Sequence, residues 1–199
     1  MAAMHSTPVA PEDEIRVMTG VSWDAFEAFL TERGEKLPRV AYLEGTLELM
    51  SPSRPHDRIS RRFAAVVEAY LDTLGIEWDS AGAWLLKHKA TNVGLEPDET
   101  FLLHEGSTTR ERPDLAIEVI WTHGSINKLE IYRRLDVPEV WFWRKRGITL
   151  HVLTPNGYET RTTSASLLGF RFDLVSEMVE REIPMSDVRR ILRERLPPR

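Results

Sequence analysis

A short apolar segment interrupted by a single acid places the strongest constraint on how this chain folds. Residues 115–120 read Leu-Ala-Ile-Glu-Val-Ile, and Glu118 is their one charged member. A run of this kind predicts a β-strand over 114–120 that is buried on both faces of a sheet. Burying a carboxylate is costly unless it pairs with a cation or binds a metal ion. We therefore expect Glu118 to have such a partner.

A helix is predicted directly after this strand, over 126–135, and it brings a lysine toward the sheet. Four of its residues share one stripe at i, i+3, i+4 and i+7: Lys128, Ile131, Tyr132 and Leu135. Because three of the four are apolar, the stripe should face the sheet and turn Lys128 toward Glu118. A further strand over 137–143 makes this helix a candidate crossover between parallel neighbours.

The remaining sequence predicts a mixed α/β protein. Helices are expected over 22–33, 56–74, 174–180 and 186–196, and strands over 76–86, 96–103, 148–153 and 158–163. A β-hairpin is expected over 40–50, because Glu44-Gly45 forms a two-residue turn between two strand-like segments. We expect one domain over 21–183, a flexible N-terminal segment over 1–20 and a C-terminal helix or tail over 184–199.

Composition narrows the class of protein. The 199 residues include no cysteine, which excludes disulfides and thiolate metal sites and fits a reducing cytoplasm. No apolar run approaches the ~20 residues of a membrane span, and no signal peptide is recognised at the N-terminus. The net charge of −5 differs from the basic character that is usual in proteins whose main task is to grip nucleic acid.

Two arginine clusters stand out against this acidic total. One opens the long helix and the other lies near the C-terminus: Arg54, Arg58, Arg61 and Arg62, and Arg189, Arg190, Arg193 and Arg195. The simpler interpretation is that they are solvated helix faces. The alternative is a local patch that faces phosphates.

A second acid, Asp98, stands at the start of the strand predicted over 96–103. Two neighbouring carboxylates repel, and each resists ionisation unless a cation lies between them. A hard divalent cation such as Mg²⁺ takes oxygen ligands and keeps several waters. Spacing leaves two interpretations open: a metal site with Asp98, Glu118 and Lys128, or a Glu118–Lys128 ion pair that only sets the strand register.

Several short motifs occur in a specific order along the chain. They are Gly45, Leu49-Met50-Ser51-Pro52, His56, Pro97-Asp98, residues 112–119 (Arg-Pro-Asp-Leu-Ala-Ile-Glu-Val), Lys128-Leu129-Glu130-Ile131-Tyr132 and Val140-Trp141-Phe142-Trp143. Taken together, they resemble the Uma-two family of restriction endonucleases, which belongs to the PD-(D/E)XK nuclease superfamily. The likeness extends over residues 22–180.

The resemblance implies a restriction-endonuclease-like core, in which helices flank a mixed central β-sheet and the N-terminal helix and hairpin are additions. Asp98 would match the aspartate of the superfamily, Glu118 its metal-binding glutamate and Lys128 its lysine. The superfamily often places that lysine two residues after the glutamate, where this chain has Ile120. The lysine would therefore have moved to the following helix.

The resemblance also implies an endonuclease that depends on Mg²⁺, or on Mn²⁺, and hydrolyses phosphodiester bonds of DNA. Asp98, Glu118 and the backbone carbonyl of Val119 would hold the metal, and His56 and Glu44 are further candidates for catalysis. We expect a homodimer. The alternative is a catalytically silent homodimeric binding module of the same fold, with tryptophan-rich strands at its interface.

Overall fold

The structure, a computed structural model, describes residues 12–103, 110–122, 124–144 and 147–196. These ranges contain five helices: α1 (Trp23–Arg33), α2 (Arg54–Leu74), α3 (Lys128–Arg134), α4 (Phe172–Glu180) and α5 (Met185–Arg195). They also contain eleven strands: β1 (Glu14–Met18), β2 (Arg39–Leu43), β3 (Thr46–Ser51), β4 (Trp78–Ser80), β5 (Leu86–His88), β6 (Val93–Leu95), β7 (Glu99–Leu103), β8 (Leu115–Val119), β9 (Glu139–Arg144), β10 (Gly147–Thr154) and β11 (Gly157–Arg161).

The strands form two sheets. One has five antiparallel strands in the order β1-β3-β2-β6-β5, and the other has six strands in the order β11-β10-β9-β8-β7-β4. Neighbours in the six-stranded sheet are antiparallel except β8 and β9, which run parallel. The helix α3 connects those two strands, as a crossover between parallel neighbours requires. The predicted mixed sheet flanked by helices is confirmed.

Side chains of β8 alternate between two hydrophobic cores. Leu115, Ile117 and Val119 belong to the largest cluster of buried residues, to which α2, α4 and α5 contribute. Ala116 belongs to a second cluster, which includes residues of α3. Because successive residues of a strand point to opposite faces, Glu118 lies on the same face as Ala116.

The five-stranded sheet borders the same second cluster. Ala41 on β2 belongs to that cluster, and Glu48 on β3 is its cross-strand partner. Leu47, one residue earlier, packs with α1 in a third cluster. Cross-strand partners share one face of a sheet, so Glu48 turns toward the space between the sheets. Glu48 and Glu118, both buried, therefore face that space from different sheets.

Two strand predictions need correction. The strand expected over 76–86 is divided between β4 and β5, which belong to different sheets, and the chain bends at Gly82 with a left-handed φ of 58°. The strand expected over 96–103 begins only with β7, because Pro97 has no N–H to donate to a ladder. The preceding β6 is a separate strand of the five-stranded sheet. In both places the chain passes from one sheet to the other.

The two ends of the described chain pack against the sheets and helices of the core. The strand β1, residues 14–18, pairs with β3, so the flexible segment predicted over 1–20 does not include it. Residues 1–11 of that segment lie outside the described part of the chain. Val188 and Leu192 of α5 are buried in the largest cluster. Among the described helices, none has the length and apolar character that crossing a membrane demands.

Candidate functional site

A cleft of about 240 Å³ lies between the two sheets. Polar side chains from distant parts of the chain line it, among them Asp13, Glu48, His56, Asn127 and Lys128. Val119, at the end of β8, also lines it. The cleft therefore opens at the carboxyl end of the central strand, where the two acids predicted from sequence are found just behind its wall.

Glu118 is fully buried and is held by two donors from α3. Its Oε2 lies 2.7 Å from the Nζ of Lys128, and its Oε1 accepts a hydrogen bond of 2.5 Å from the hydroxyl of Tyr132. Burial, and then the negative charge of Glu118, raise the pKa of Tyr132 well above its usual value. Tyr132 therefore stays neutral and remains a donor to this carboxylate.

Asp98 lies next to Glu118 because of the strand register. Glu99 on β7 is opposite Ile117 on β8, and the two strands run antiparallel. Asp98, one residue before Glu99, therefore lies beside Glu118. The Oδ2 of Asp98 accepts a hydrogen bond of 2.6 Å from the backbone N–H of Val119. Its Oδ1 forms an ion pair with the guanidinium of Arg39. The two predicted acids are thus buried neighbours on adjacent strands.

His56 connects Asp98 to an acid that sequence reasoning missed. Its Nε2 lies 3.0 Å from Oδ1 of Asp98, and its Nδ1 lies 2.9 Å from Oδ2 of Asp13. The other oxygen of Asp13 accepts a hydrogen bond of 2.8 Å from the N–H of Ser53, the N-cap of α2. Burial raises the pKa of Asp13, but the Ser53 hydrogen bond and then the contact with His56 outweigh it, so the pKa is lowered. Asp13 is thus kept as a carboxylate that orients the imidazole.

Glu48 is a second acid that sequence reasoning missed. It is 3% exposed, and its Oε2 accepts hydrogen bonds of 2.7 Å and 3.1 Å from the N–H and hydroxyl of Ser125. It thereby fixes the segment that leads from β8 into α3. The sequence contained an indication that Glu48 is buried. This residue interrupts the apolar strand residues Leu47, Leu49 and Met50, as Glu118 interrupts its own strand.

Comparison with known protein families shows which family contains these residues. Residues 23–179 match the model of the Uma2 family, described as "Putative restriction endonuclease". This chain belongs to that family. The matched range contains Asp98, Glu118 and Lys128, whereas Asp13 and β1 precede it. Membership of the Uma2 family supports a nuclease role.

No curated protein matches the chain. Among solved structures, it is similar to the crystal structure of a "putative nuclease belonging to DUF820" from Anabaena variabilis ATCC 29413, at 12% sequence identity and a TM-score of 0.44. The similarity covers 78% of this chain and 92% of that chain.

The structure does not bring Glu44 into the site. It occupies the hairpin turn with a left-handed φ of 47°, and its 60% exposed side chain forms an ion pair of 2.7 Å with Arg134. On β3, the acid that reaches the cleft is Glu48, four residues later. Glu44 therefore lies on the surface outside the cleft, and its position gives no support to a role in catalysis.

The donor set around Asp98 and Glu118 fits a hard divalent cation. A carboxylate offers about four lone-pair positions. Three contacts reach Asp98 and two reach Glu118, so each has accepting capacity left. No three acidic or histidine side chains converge on one point among the described residues. Mg²⁺ suits such a site, because it is usually held by one or two carboxylates together with waters and substrate phosphates.

The close packing at Gly124 provides a prediction. A Cβ at this position would lie 2.7 Å from Oε1 of Glu48. We expect Gly124→Ala to lower the free energy of unfolding by about 1–2 kcal/mol, because Glu48 is buried and held by Ser125 and has little room to move. Urea denaturation measures this loss. Adding Glu48→Asp, which shortens the acid by one methylene, should recover part of it, and no recovery would show that the strain lies elsewhere.

Proposed function

We propose that this protein hydrolyses phosphodiester bonds of DNA at the cleft with the help of Mg²⁺ or Mn²⁺. One observation carries the proposal: a fully buried glutamate, Glu118, is bound to Lys128 and lies beside Asp98, just behind the wall of a cleft that Lys128 lines. A buried acid with a specific charged partner beside a cleft is a candidate for a functional site. Membership of the Uma2 family supports the same class of reaction.

Asp98, Glu118 and the backbone carbonyl of Val119 would hold the cation. When bound, a divalent cation supplies Lewis-acid chemistry that neutralises charge on phosphate oxygens and makes water more acidic. Asp98 is prepared for this role by its neighbours, since His56, Arg39 and the Val119 N–H fix the direction of its carboxylate. Such supporting contacts orient metal ligands in many proteins.

Lys128 has two tasks in this proposal. Without a cation, its ammonium balances the charge of Glu118 at 2.7 Å. Its side chain is 18% exposed and lines the cleft, so it can turn from Glu118 toward a substrate. A cation at Glu118 would take over the first task and leave the ammonium to stabilise negative charge that grows on the phosphate in the transition state.

The supporting residues Asp13 and His56 hold the site in shape. They do so as a buried chain of hydrogen bonds from the N-cap of α2 to Asp98. We assign them positioning roles, since His56 touches Asp98 and Asp13 acts through His56. Tyr132 has the same role toward Glu118.

A nuclease assay tests the proposal directly. Supercoiled plasmid and labelled single-stranded DNA are incubated with the protein and Mg²⁺, Mn²⁺ or EDTA. We expect cleavage with either cation, no cleavage with EDTA, and loss of cleavage in Glu118→Ala and Lys128→Ala. Cleavage that survives both substitutions would overturn the site, and an RNA strand of the same sequence decides between DNA and RNA as substrate.

The alternative is the catalytically silent homodimeric module. Its proposed interface loses support, because Trp141 and Trp143 on β9 are buried inside the single chain at 0% and 5% exposure. The absence of both cleavage and cation binding, together with a strongly destabilised Glu118→Ala variant, would favour this alternative. Whether the chain forms a homodimer stays a prediction, and light scattering after size-exclusion chromatography measures it.

A further inference from the structure

A second and larger groove adjoins the cleft. Its volume is about 670 Å³, and it runs between the start of α2 and the end of α4. Its lining includes four arginines together with an apolar and an aromatic side chain: Arg54, Arg58, Arg62, Arg181, Ile59 and Trp121. Glu180 and Glu182 line it as well. Four arginines against two glutamates make its lining positive, whereas the whole chain carries −5.

The groove and the cleft share a thin wall made of two chain segments. At the start of α2, Arg54 lines the groove and His56 lines the cleft. After β8, Trp121 lines the groove, whereas its neighbours Ile120 and Thr122 line the cleft. The wall between the groove and the cleft is therefore about one residue thick. A polymer lying in the groove would reach the proposed site by passing over this wall.

The arginines of this groove differ in how firmly they are engaged. Arg62 donates to the backbone carbonyls of Met178 and Val179, so it fastens the end of α4. Arg58 pairs with Glu182 at 2.8 Å, but the two side chains are 66% and 78% exposed. An exposed pair of this kind contributes little and is readily exchanged. Arg58 can thus turn from Glu182 to a phosphate, which a guanidinium contacts through two parallel hydrogen bonds.

We propose that this groove binds the backbone of a single polynucleotide strand and leads it to the cleft. Arg54 and Arg58 contact successive phosphates, and the indole of Trp121 stacks against a base. Positive charge along a groove together with an aromatic ring is the combination by which proteins hold single strands without reading their sequence. The inference rests on the proposed function and deepens it, because it assigns the path of the substrate.

Binding without cleavage tests this surface. The full chain in EDTA is titrated onto a fluorescein-labelled single-stranded 20-mer DNA, and anisotropy measures Kd at several salt concentrations. For Arg54→Ala/Arg58→Ala we expect Kd to rise at least about tenfold, and the slope of log Kd against log salt to fall by about 0.7 for each lost contact. For Trp121→Ala we also expect about a tenfold rise, which Trp121→Phe largely restores.

The matched control is Arg190→Ala, which removes an exposed arginine from α5, away from the groove. Its Kd should equal that of the wild type, and circular dichroism verifies that all variants are folded. If the wild type does not bind the strand, or if the groove variants bind as well as Arg190→Ala does, the groove proposal is wrong.

Cleavage assays on the same variants separate this proposal from the proposed function. Binding that depends on the groove in a protein that cleaves nothing would keep the groove and overturn the nuclease. Cleavage by the wild type with binding independent of Arg54, Arg58 and Trp121 would keep the nuclease and overturn the groove.

Discussion

Glu118→Gln is expected to reduce cleavage by at least about 1,000-fold. The substitution keeps the size of the side chain but removes the charge that would hold a cation, and it turns an amide donor toward Lys128 or Tyr132, which are themselves donors to this position. Loss of one well-placed electrostatic contact alone can cost about 100- to 1,000-fold, and here two functions are lost together. The measurement is kcat/KM on a labelled DNA strand with Mg²⁺.

The control for this prediction is Glu44→Gln. The sequence named both glutamates as candidates, but the structure places Glu44 on the surface beside Arg134. We expect this variant to keep the wild-type rate within about twofold, as surface changes away from a site usually have small effects. Equal losses in the two variants would contradict the assignment, and so would an active Glu118→Gln enzyme.

Lys128→Met is expected to lower the free energy of unfolding by about 3 kcal/mol. The substitution leaves Glu118, whose side chain is 0% exposed, without its cationic partner. Removing one member of a buried ion pair costs about 3–5 kcal/mol, because the remaining charge stays desolvated. The hydroxyl of Tyr132 still donates to Glu118 and places the loss near the lower end of that range. Urea denaturation monitored by tryptophan fluorescence measures it.

A double-mutant cycle isolates the ion pair from other effects of the methionine. In Glu118→Gln/Lys128→Met no charge is left unpaired, so the double variant should be more stable than Lys128→Met alone. The exposed pair between Arg181 and Glu177 offers a comparison, and Arg181→Met should cause a much smaller loss. A Lys128→Met variant as stable as the wild type would mean that Glu118 is neutral or hydrated in the folded protein.

The expected activity of the two variants differs in a useful way. Glu118→Gln removes a proposed cation ligand, so raising the Mg²⁺ concentration should recover part of its activity if any remains. Lys128→Met keeps both carboxylates, so its loss should persist at saturating Mg²⁺ and should appear in kcat. A loss that Mg²⁺ rescues in Lys128→Met would indicate that the lysine assists cation binding rather than the transition state.

Much of the site could be predicted because its geometry is local in the chain. The period of two in a strand places Glu118 on one face of β8, and the 3.6-residue period of a helix turns Lys128 to the same side as the buried Tyr132. The face that each side chain occupies follows from its neighbours in the sequence, within about one helical turn or a few strand positions. The hairpin, the long helix α2 and the crossover helix α3 were predictable for the same reason.

The contacts that sequence reasoning missed all join distant parts of the chain. Asp13 donates from its N–H to the hydroxyl of Thr122, 109 residues away, and Glu48 accepts from Ser125, 77 residues away. The segment around Asp13 is polar and has no period, so nothing local indicates that its carboxylate is buried. The division of the strand expected over 76–86 between two sheets is likewise set by the packing of distant strands.

The sequence by itself therefore determined that Glu118 is buried, that Lys128 points toward it and that the architecture is mixed α/β. It could do so because short-range periodicity decides which face a side chain occupies. Only the tertiary structure decided that Glu48 and not Glu44 reaches the cleft, and that Asp13 orients His56 toward Asp98. Those choices depend on how one sheet packs on the other. A local pattern can indicate that a side chain is buried, as it does for Glu118, but it does not specify which distant part of the chain covers that side chain.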